Sequence, residues 1–211
     1  MNDHSPTENL QTGNVLEALR VSKRYPGVLA LDNVEFDLKL GEVQALVGQN
    51  GAGKSTFIEI IAGSIRPDSG RIVVGGRELS HLDPALSIEL GIQTVHQENQ
   101  LVEELSVAEN IYLYNLPTSR FGFASLSNCI RAADGLLQEL GINIDSSLKL
   151  IELTFVEKKL ISIAKAFSRQ ANILILDEPT ASLDKTGKTI LFDIIKKYTQ
   201  KGLSVIYISH H

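Results

Sequence analysis

The stretch Gly48-Gln-Asn-Gly-Ala-Gly-Lys-Ser-Thr56 decides the fold of this chain. Before it lies Val43-Gln-Ala-Leu-Val47, an apolar run typical of a buried strand, and after it Phe57-Ile-Glu-Ile-Ile-Ala62 favours a helix. The glycines of the stretch let the backbone wrap closely around a polyphosphate, with its N–H groups directed inward. The strand, the loop and the helix together therefore predict a phosphate-binding loop.

The loop also carries side chains that suit a nucleotide and a magnesium ion. Lys54 is predicted to neutralise the β- and γ-phosphates, and Ser55 to ligate Mg²⁺. The positive N-terminal end of the following helix adds to the attraction of an anion. A glycine-rich turn without a ligand is the alternative for the loop taken alone. The predicted phosphate contacts are Gly48, Gln49, Asn50, Gly51, Ala52, Gly53, Lys54, Ser55 and Thr56.

A pair of acidic residues follows a second apolar run. Asp177 and Glu178 come directly after Ile173-Leu-Ile-Leu176, which is typical of a central parallel strand. Active sites of open α/β sheets commonly lie at the carboxyl ends of such strands. We predict that Asp177 holds Mg²⁺ through water and that Glu178 polarises the water that attacks the γ-phosphate. An acidic turn before Pro179 that caps a helix is the alternative.

Composition excludes several classes of protein. The chain has 211 residues and a net charge of −5, and the acidic balance argues against a general nucleic-acid-binding role. The single cysteine, Cys129, excludes an intrachain disulfide and a multi-cysteine metal site. The polar start has no secretory signature, and no apolar run approaches the roughly 20 residues of a membrane span. We therefore expect a cytoplasmic protein that reaches a membrane only through a partner.

Residue periodicity predicts an α/β core with a helical insertion. Residues 1–12 are polar and are expected to form a mobile tail. The alternation in Val34–Leu40 suits an antiparallel sheet, and Gly141 is expected to end a helix. The predicted strands are Val15–Val21, Val34–Leu40, Val43–Val47, Arg71–Val74, Gly91–Val95, Ile173–Leu176 and Leu203–Ile208, and the predicted helices are Asn128–Leu140, Val156–Phe167 and a segment near 185–200.

With these motifs in order, the chain from about residue 15 to 211 resembles the nucleotide-binding subunit of ATP-binding cassette (ABC) transporters. It is most similar to the carbohydrate-import ATPases, whose full-length form carries two cassettes in tandem. Val95-His-Gln-Glu98, Leu105-Ser-Val-Ala-Glu-Asn-Ile111 and Ile163-Ala-Lys-Ala166 carry this finer similarity. The resemblance implies a P-loop NTPase core with a mostly parallel sheet, an N-terminal antiparallel β subdomain and a helical insertion. It implies an ATP-binding domain at 13–211 with a helical subdomain at about 98–168.

The resemblance assigns roles to further residues and implies ATP and Mg²⁺ as ligands. Tyr25, in Lys-Arg-Tyr-Pro-Gly, matches the aromatic residue that stacks on adenine. Gln97 matches the glutamine that reaches Mg²⁺ and water and links to the transmembrane partner, and His210 matches the switch histidine that contacts the γ-phosphate. Ser182-Leu183-Asp184 matches the loop that crosses the dimer interface. The implied catalytic residues are Glu178, His210 and Gln97, and the implied metal ligands are Ser55, Gln97 and Asp177.

The function implied by the resemblance is ATP hydrolysis that drives uptake of a sugar-like solute. The implied partners are transmembrane permease subunits, a second cassette in a dimer or a tandem chain, and, indirectly, a periplasmic or extracellular solute-binding protein. Nucleic acid is not an implied partner. The implied location is the cytoplasmic face of the cell membrane, as a peripheral subunit.

Two features depart from the family pattern. The signature segment Leu153-Thr-Phe-Val-Glu157 has Phe155 and Val156 where the family has glycines, although Thr154 and Glu157 fit a capping box before a helix. The chain also stops at His210-His211, after a strand, so we expect a fragment truncated at its C-terminal end, whose last strand leaves apolar surface bare.

Two other functions stay open at this point. The degenerate signature Leu153–Glu157 favours a regulatory cassette that binds nucleotide with little hydrolysis, whereas Glu178 and His210 argue against it. A non-transport cassette that acts on nucleic acid or ribosomes is disfavoured by the acidic balance and by the lack of a basic stripe.

Overall fold

Two four-stranded sheets occupy the described part of the chain. The computed structural model describes residues 13–49, 51–96, 101–113, 125–181 and 183–209. The strands of the first sheet are β1 (Asn14–Tyr25), β2 (Val28–Lys39), β4 (Ser69–Val74) and β5 (Arg77–Leu79), and those of the second are β3 (Val43–Val47), β6 (Ile92–Val95), β7 (Ile173–Asp177) and β8 (Ser204–Ser209).

The first sheet is antiparallel, with the strand order β2-β1-β4-β5. β1 and β2 form a hairpin that closes with Tyr25 opposite Val28. Gly27 lies in the turn with a φ of 81°, a conformation that costs glycine little. Alternate side chains of β1, such as Leu16 and Ala18, are fully buried, as a half-covered sheet requires. The predicted N-terminal antiparallel region is confirmed.

The second sheet has the strand order β3-β8-β7-β6. β3 and β8 pair in parallel, from Val43 opposite Val205 to Val47 opposite Ser209. The four apolar residues of β7, Ile173–Leu176, are all buried between β8 and β6. The prediction of a central strand at this position is confirmed.

The exposed apolar residues of this sheet lie on β3 and not on the last strand. β8 lies between β3 and β7, and Val205, Ile206 and Ile208 are buried, so the expectation that the last strand leaves apolar surface bare is wrong. β3 is an edge strand of the described sheet, with Val43 46% and Val47 65% exposed. Because side chains alternate between the two faces of a strand, the predicted buried strand is covered on one face only.

The helices begin and end at the signals that the sequence carries. Asp83, Ser106, Ser125 and Thr154 cap helices with their side chains, and Gly141 ends α4 with a φ of 71°, as predicted. None of the helices in the described ranges combines the length and apolar character needed to cross a bilayer. The helices are α1 (Lys54–Ile61), α2 (Pro84–Glu89), α3 (Val107–Tyr112), α4 (Leu126–Leu140), α5 (Phe155–Phe167) and α6 (Lys185–Thr199), with a 3-10 turn at Leu150–Glu152.

Three short elements were not predicted individually from periodicity, because each is too short to show a repeat. β5 contains three residues, and α2 and α3 contain six residues each. The signal for α2 was a cap and not a period: the Asp83 carboxylate accepts a hydrogen bond from the Leu86 N–H (2.9 Å), and Pro84 occupies the first helical turn, where its missing N–H is harmless.

The described residues divide into two compact units. One comprises the described residues up to Thr94, Asn172–Leu176 and the segment from Tyr198 onward, and the other comprises Val95–Ala171 and Asp177–Lys197. In the second unit the fully buried Asn110 holds the loop before α3, because its amide accepts from the Val102 N–H (2.8 Å) and donates to the Val102 carbonyl oxygen (2.9 Å). This buried network satisfies loop backbone groups that would otherwise be costly to bury.

Candidate functional site

Among the described residues of the predicted phosphate loop, two glycines have a left-handed backbone conformation. Gly51 has a φ of 84° and Gly53 a φ of 86°. At Gly53 a Cβ atom would lie 2.4 Å from the Ala30 carbonyl oxygen and 2.8 Å from a methyl group of Leu31, whereas a Cβ at Gly51 would meet open space. Gly53 is therefore required by its own conformation and by the close approach of β2, a constraint that the loop sequence alone did not reveal.

Positive charge is concentrated where this loop enters α1. Lys54 is the first residue of α1, and its ammonium group donates hydrogen bonds to the carbonyl oxygens of Gly48 and of Gln49 (2.9 Å for the latter). The first turn of α1 contains no acidic residue. The N-terminal N–H groups of the helix and the lysine thus favour an anion at the same place. The Ser55 residue that follows is exposed, as the predicted ligand of a phosphate-bound magnesium ion would require.

Tyr25 is held by a polar cluster at the end of β1. The Lys23 ammonium lies 5.8 Å from the centre of the Tyr25 ring and 2.9 Å from an Asp68 carboxylate oxygen. The same carboxylate accepts a hydrogen bond from the Arg24 N–H (2.7 Å). The hydrogen bonds from Lys23 and Arg24 hold the pKa of Asp68 below its usual value. Sequence reasoning missed Asp68, because it is 43 residues from Tyr25 and only the sheet pairing brings it close.

Asp177 and Glu178 lie where β7 ends. Asp177 is the last residue of the strand, and both residues are half-buried. Glu178 has a φ of 46°, an uncommon conformation for a residue with a side chain. Its carbonyl oxygen accepts a hydrogen bond from the Ala181 N–H (3.2 Å), which closes a tight turn. Such strained residues cost about 1–3 kcal/mol each and cluster at functional sites, which favours a functional role for this turn over that of a plain acidic loop.

The signature segment starts α5 with the predicted capping box. The Thr154 hydroxyl accepts from the Glu157 N–H, and the Glu157 carboxylate accepts from the Thr154 N–H (2.8 Å) and hydroxyl (2.7 Å). Lys158 donates to Glu103 at 2.6 Å. The charge of Glu157 is therefore directed back onto the helix cap, so its carboxylate has a structural role in this segment.

The two side chains that replace signature glycines point to different surroundings. Phe155 is 59% exposed, whereas Val156 is half-buried. A Cβ added to Gly187, a buried residue of α6, would lie 3.3 Å from a Val156 methyl group. Asp184 caps the same helix, since its carboxylate accepts from the Gly187 N–H at 2.7 Å. Val156 is thus part of the packing of α5 on α6, and Phe155 alone projects outward.

Four predicted positions fall outside the described residues. They are Asn50 of the phosphate loop, Gln97, Ser182 and His210, and the roles assigned to them stay predictions. The tail predicted at residues 1–12 also lies outside the described residues.

Comparisons with known proteins agree on one family. A family model described as "ABC transporter" matches residues 31–181. The ribose import ATP-binding protein RbsA 1 of Rubrobacter xylanophilus is 44% identical over 197 residues, which cover 93% of this chain and 39% of the relative. The arabinose import ATP-binding protein AraG 1 of Burkholderia cenocepacia is 40% identical, over 90% of this chain and 38% of the relative. The chain thus spans less than half the length of these curated relatives.

A solved structure shows the same fold. The crystal structure of the ADP conformation of an ATP-binding cassette of an ABC transporter superposes with a TM-score of 0.80, at 25% identity, and covers 95% of this chain and 82% of that chain. The α/β P-loop fold class predicted from the sequence is therefore confirmed.

The packing of the signature segment predicts unequal effects of two alanine substitutions. Val156→Ala removes methyl groups that pack against Gly187 and is expected to lower the free energy of unfolding by about 1 kcal/mol. The matched control Phe155→Ala removes an exposed ring and is expected to change it by less than about 0.5 kcal/mol. Urea unfolding followed by circular dichroism measures both values. Equal losses for the two variants would contradict the packing described for Val156.

Proposed function

Because the chain belongs to the ABC transporter family, we propose that it binds and hydrolyses ATP to drive the import of a sugar-like solute through a membrane permease. The observation that carries this proposal is the phosphate loop. It combines left-handed glycines, the Lys54 ammonium and the N-terminal end of α1. All three favour the binding of an anion at the loop. The names of the ribose and arabinose import relatives support the solute class.

In this proposal, different residues of the chain bind the nucleotide, activate the attacking water and hold Mg²⁺. The loop N–H groups and Lys54 bind the phosphates, and the Tyr25 ring stacks on the adenine. Glu178 accepts a proton from the attacking water, while Gln97 and His210 orient the water and the γ-phosphate. Ser55, Asp177 and Gln97 are the oxygen-bearing side chains that would hold Mg²⁺, which supplies charge neutralisation at the phosphates when it is bound.

The chemical types of these residues fit a magnesium nucleotide. Mg²⁺ is a hard cation that prefers oxygen ligands and keeps several waters, so one hydroxyl and one carboxylate beside phosphate oxygens suffice. Ser55 is exposed at the first turn of α1, and Asp177 ends a buried strand with a half-buried side chain. Both side chains are therefore held by regular secondary structure and not by long loops, as an ordered site requires.

The proposal includes partners that lie outside the chain. Permease subunits would carry the solute across the membrane, a second cassette would complete each nucleotide site, and a periplasmic or extracellular solute-binding protein would act indirectly. The cassette would then lie at the cytoplasmic face of the membrane as a peripheral subunit, with residues 13–211 as its ATP-binding domain and about 98–168 as a helical subdomain. The comparisons do not favour the alternative of a regulatory cassette, since the named relatives are import ATP-binding proteins.

Nucleotide binding is expected to depend on Lys54. Lys54→Ala removes a charge-assisted hydrogen bond to phosphate, so the affinity for MgATP should fall roughly 10- to 100-fold. Lys188→Ala is the matched control, because it removes the same charge from an exposed position of α6. Isothermal titration calorimetry on both variants gives the affinities. If the Lys54 variant bound MgATP as tightly as the control, the phosphate-loop assignment would be wrong.

Hydrolysis is expected to depend on Glu178 more than binding does. Glu178→Gln keeps the shape of the side chain but removes the base, so turnover should fall by about 100-fold or more, while MgATP still binds. The measurement is steady-state phosphate release by the full-length protein with its permease, and Glu89→Gln, an exposed carboxylate on α2, is the control. Unchanged turnover in the Glu178 variant would assign the base to another residue.

A further inference from the structure

Lys159 is a lysine in the interior of the protein. It lies on α5, five residues after the Thr154 cap, and the residue is only 1% exposed. Lysine is almost never fully buried unless its charge has partners, because removal of an ammonium group from water is costly. Lys159 has no role among the residues proposed to bind and hydrolyse the nucleotide.

The ammonium group of Lys159 makes a direct contact with the residue that follows β6. Its Nζ donates a hydrogen bond to the His96 carbonyl oxygen at 2.7 Å. His96 directly follows the last residue of β6 and directly precedes Gln97 in the sequence. A side chain on the signature helix therefore holds the backbone at the point where the chain continues toward Gln97.

The Asp177 carboxylate also affects the pKa of Lys159. Burial lowers the pKa of the Lys159 ammonium, and the Asp177 carboxylate raises it. The Lys159 ammonium therefore interacts electrostatically with the Asp177 carboxylate, which is the group that we propose as a Mg²⁺ ligand. A carbonyl acceptor and a nearby carboxylate together restrict the position of a buried ammonium group, since both interactions weaken when the group moves.

We propose that Lys159 is a positioning residue, which ties the His96 backbone to the helix that begins at the signature segment. The proposal rests on the proposed function, because its purpose is to place the chain before Gln97 for ATP hydrolysis. When α5 shifts, His96 must shift with it or the partly buried hydrogen bond between Lys159 and the His96 carbonyl oxygen is lost. A movement of the signature segment is thereby coupled to the backbone next to a catalytic residue without any contact between Lys159 and the nucleotide.

The deciding substitution is Lys159→Met, which keeps the apolar stem and removes the donor. Lys158→Met is the matched control, because it removes the same charge from the neighbouring residue, whose ion pair with Glu103 is partly exposed. Hydrogen–deuterium exchange compares the peptide that ends at His96 with the peptide of α1, in the full-length protein. We expect exchange at the first peptide to rise about tenfold in Lys159→Met, with α1 and the control unchanged.

Kinetics supply the second readout. In the full-length protein with its permease, Lys159→Met is expected to lower kcat about tenfold and to leave the KM for MgATP within about twofold. If Lys159→Met does not fold, Lys159→Gln replaces it and should show a smaller rise in exchange at the same peptide, because a shorter neutral amide makes a weaker bond.

Two results would overturn the proposal. One is unchanged exchange at the peptide that ends at His96, and the other is an equal rise in every peptide, which would mean a purely structural role. An unsubstituted protein that fails to hydrolyse ATP would contradict the proposed function instead. The exchange comparison needs no nucleotide and would still decide the role of Lys159.

Discussion

The close approach of β2 to the phosphate loop is the constraint on which the rest of the site depends. A side chain at Gly53 would collide with the Ala30 carbonyl oxygen at 2.4 Å, and the residue also needs a positive φ. With glycine there, α1 can begin directly after the loop, and Lys54 stands at its first position. The backbone thus fixes the helix end, the lysine and the loop N–H groups before any ligand binds, as the proposal that they bind one anion requires.

Much of the fold was predictable because its signals are local. The alternation in Val34–Leu40 and the apolar run Ile173–Leu176 identified strands, and the Thr154–Glu157 capping box identified the start of α5. The environment of each strand was harder to predict, because burial depends on which strands become neighbours. β3 reads as a buried strand but is an edge strand of the described sheet, and β8 lies inside it.

The parts of the site that the sequence did not reveal all depend on long-range contacts. Asp68 supports the Tyr25 hairpin across the sheet, and Lys159 reaches His96 from a position 63 residues away. Val156 illustrates the same limit, since the sequence shows only that it replaces a glycine of the signature pattern, whereas the structure shows that its methyl group packs beside Gly187. The phosphate-loop motif could be recognised from the sequence, because its residues, such as Lys54 and Ser55, are adjacent, and the roles assigned to them stay predictions.

The central claim is that this chain recognises a polyphosphate through its loop, and one binding comparison tests it most directly. Calorimetric titration with MgATP, MgADP and AMP, at one ionic strength, separates the contribution of the β- and γ-phosphates from that of the nucleoside. The loop contacts predict that AMP binds at least about 100-fold more weakly than MgADP, because each charge-assisted hydrogen bond to phosphate contributes about 1.5–3 kcal/mol. Equal affinities for AMP and MgADP would contradict the account.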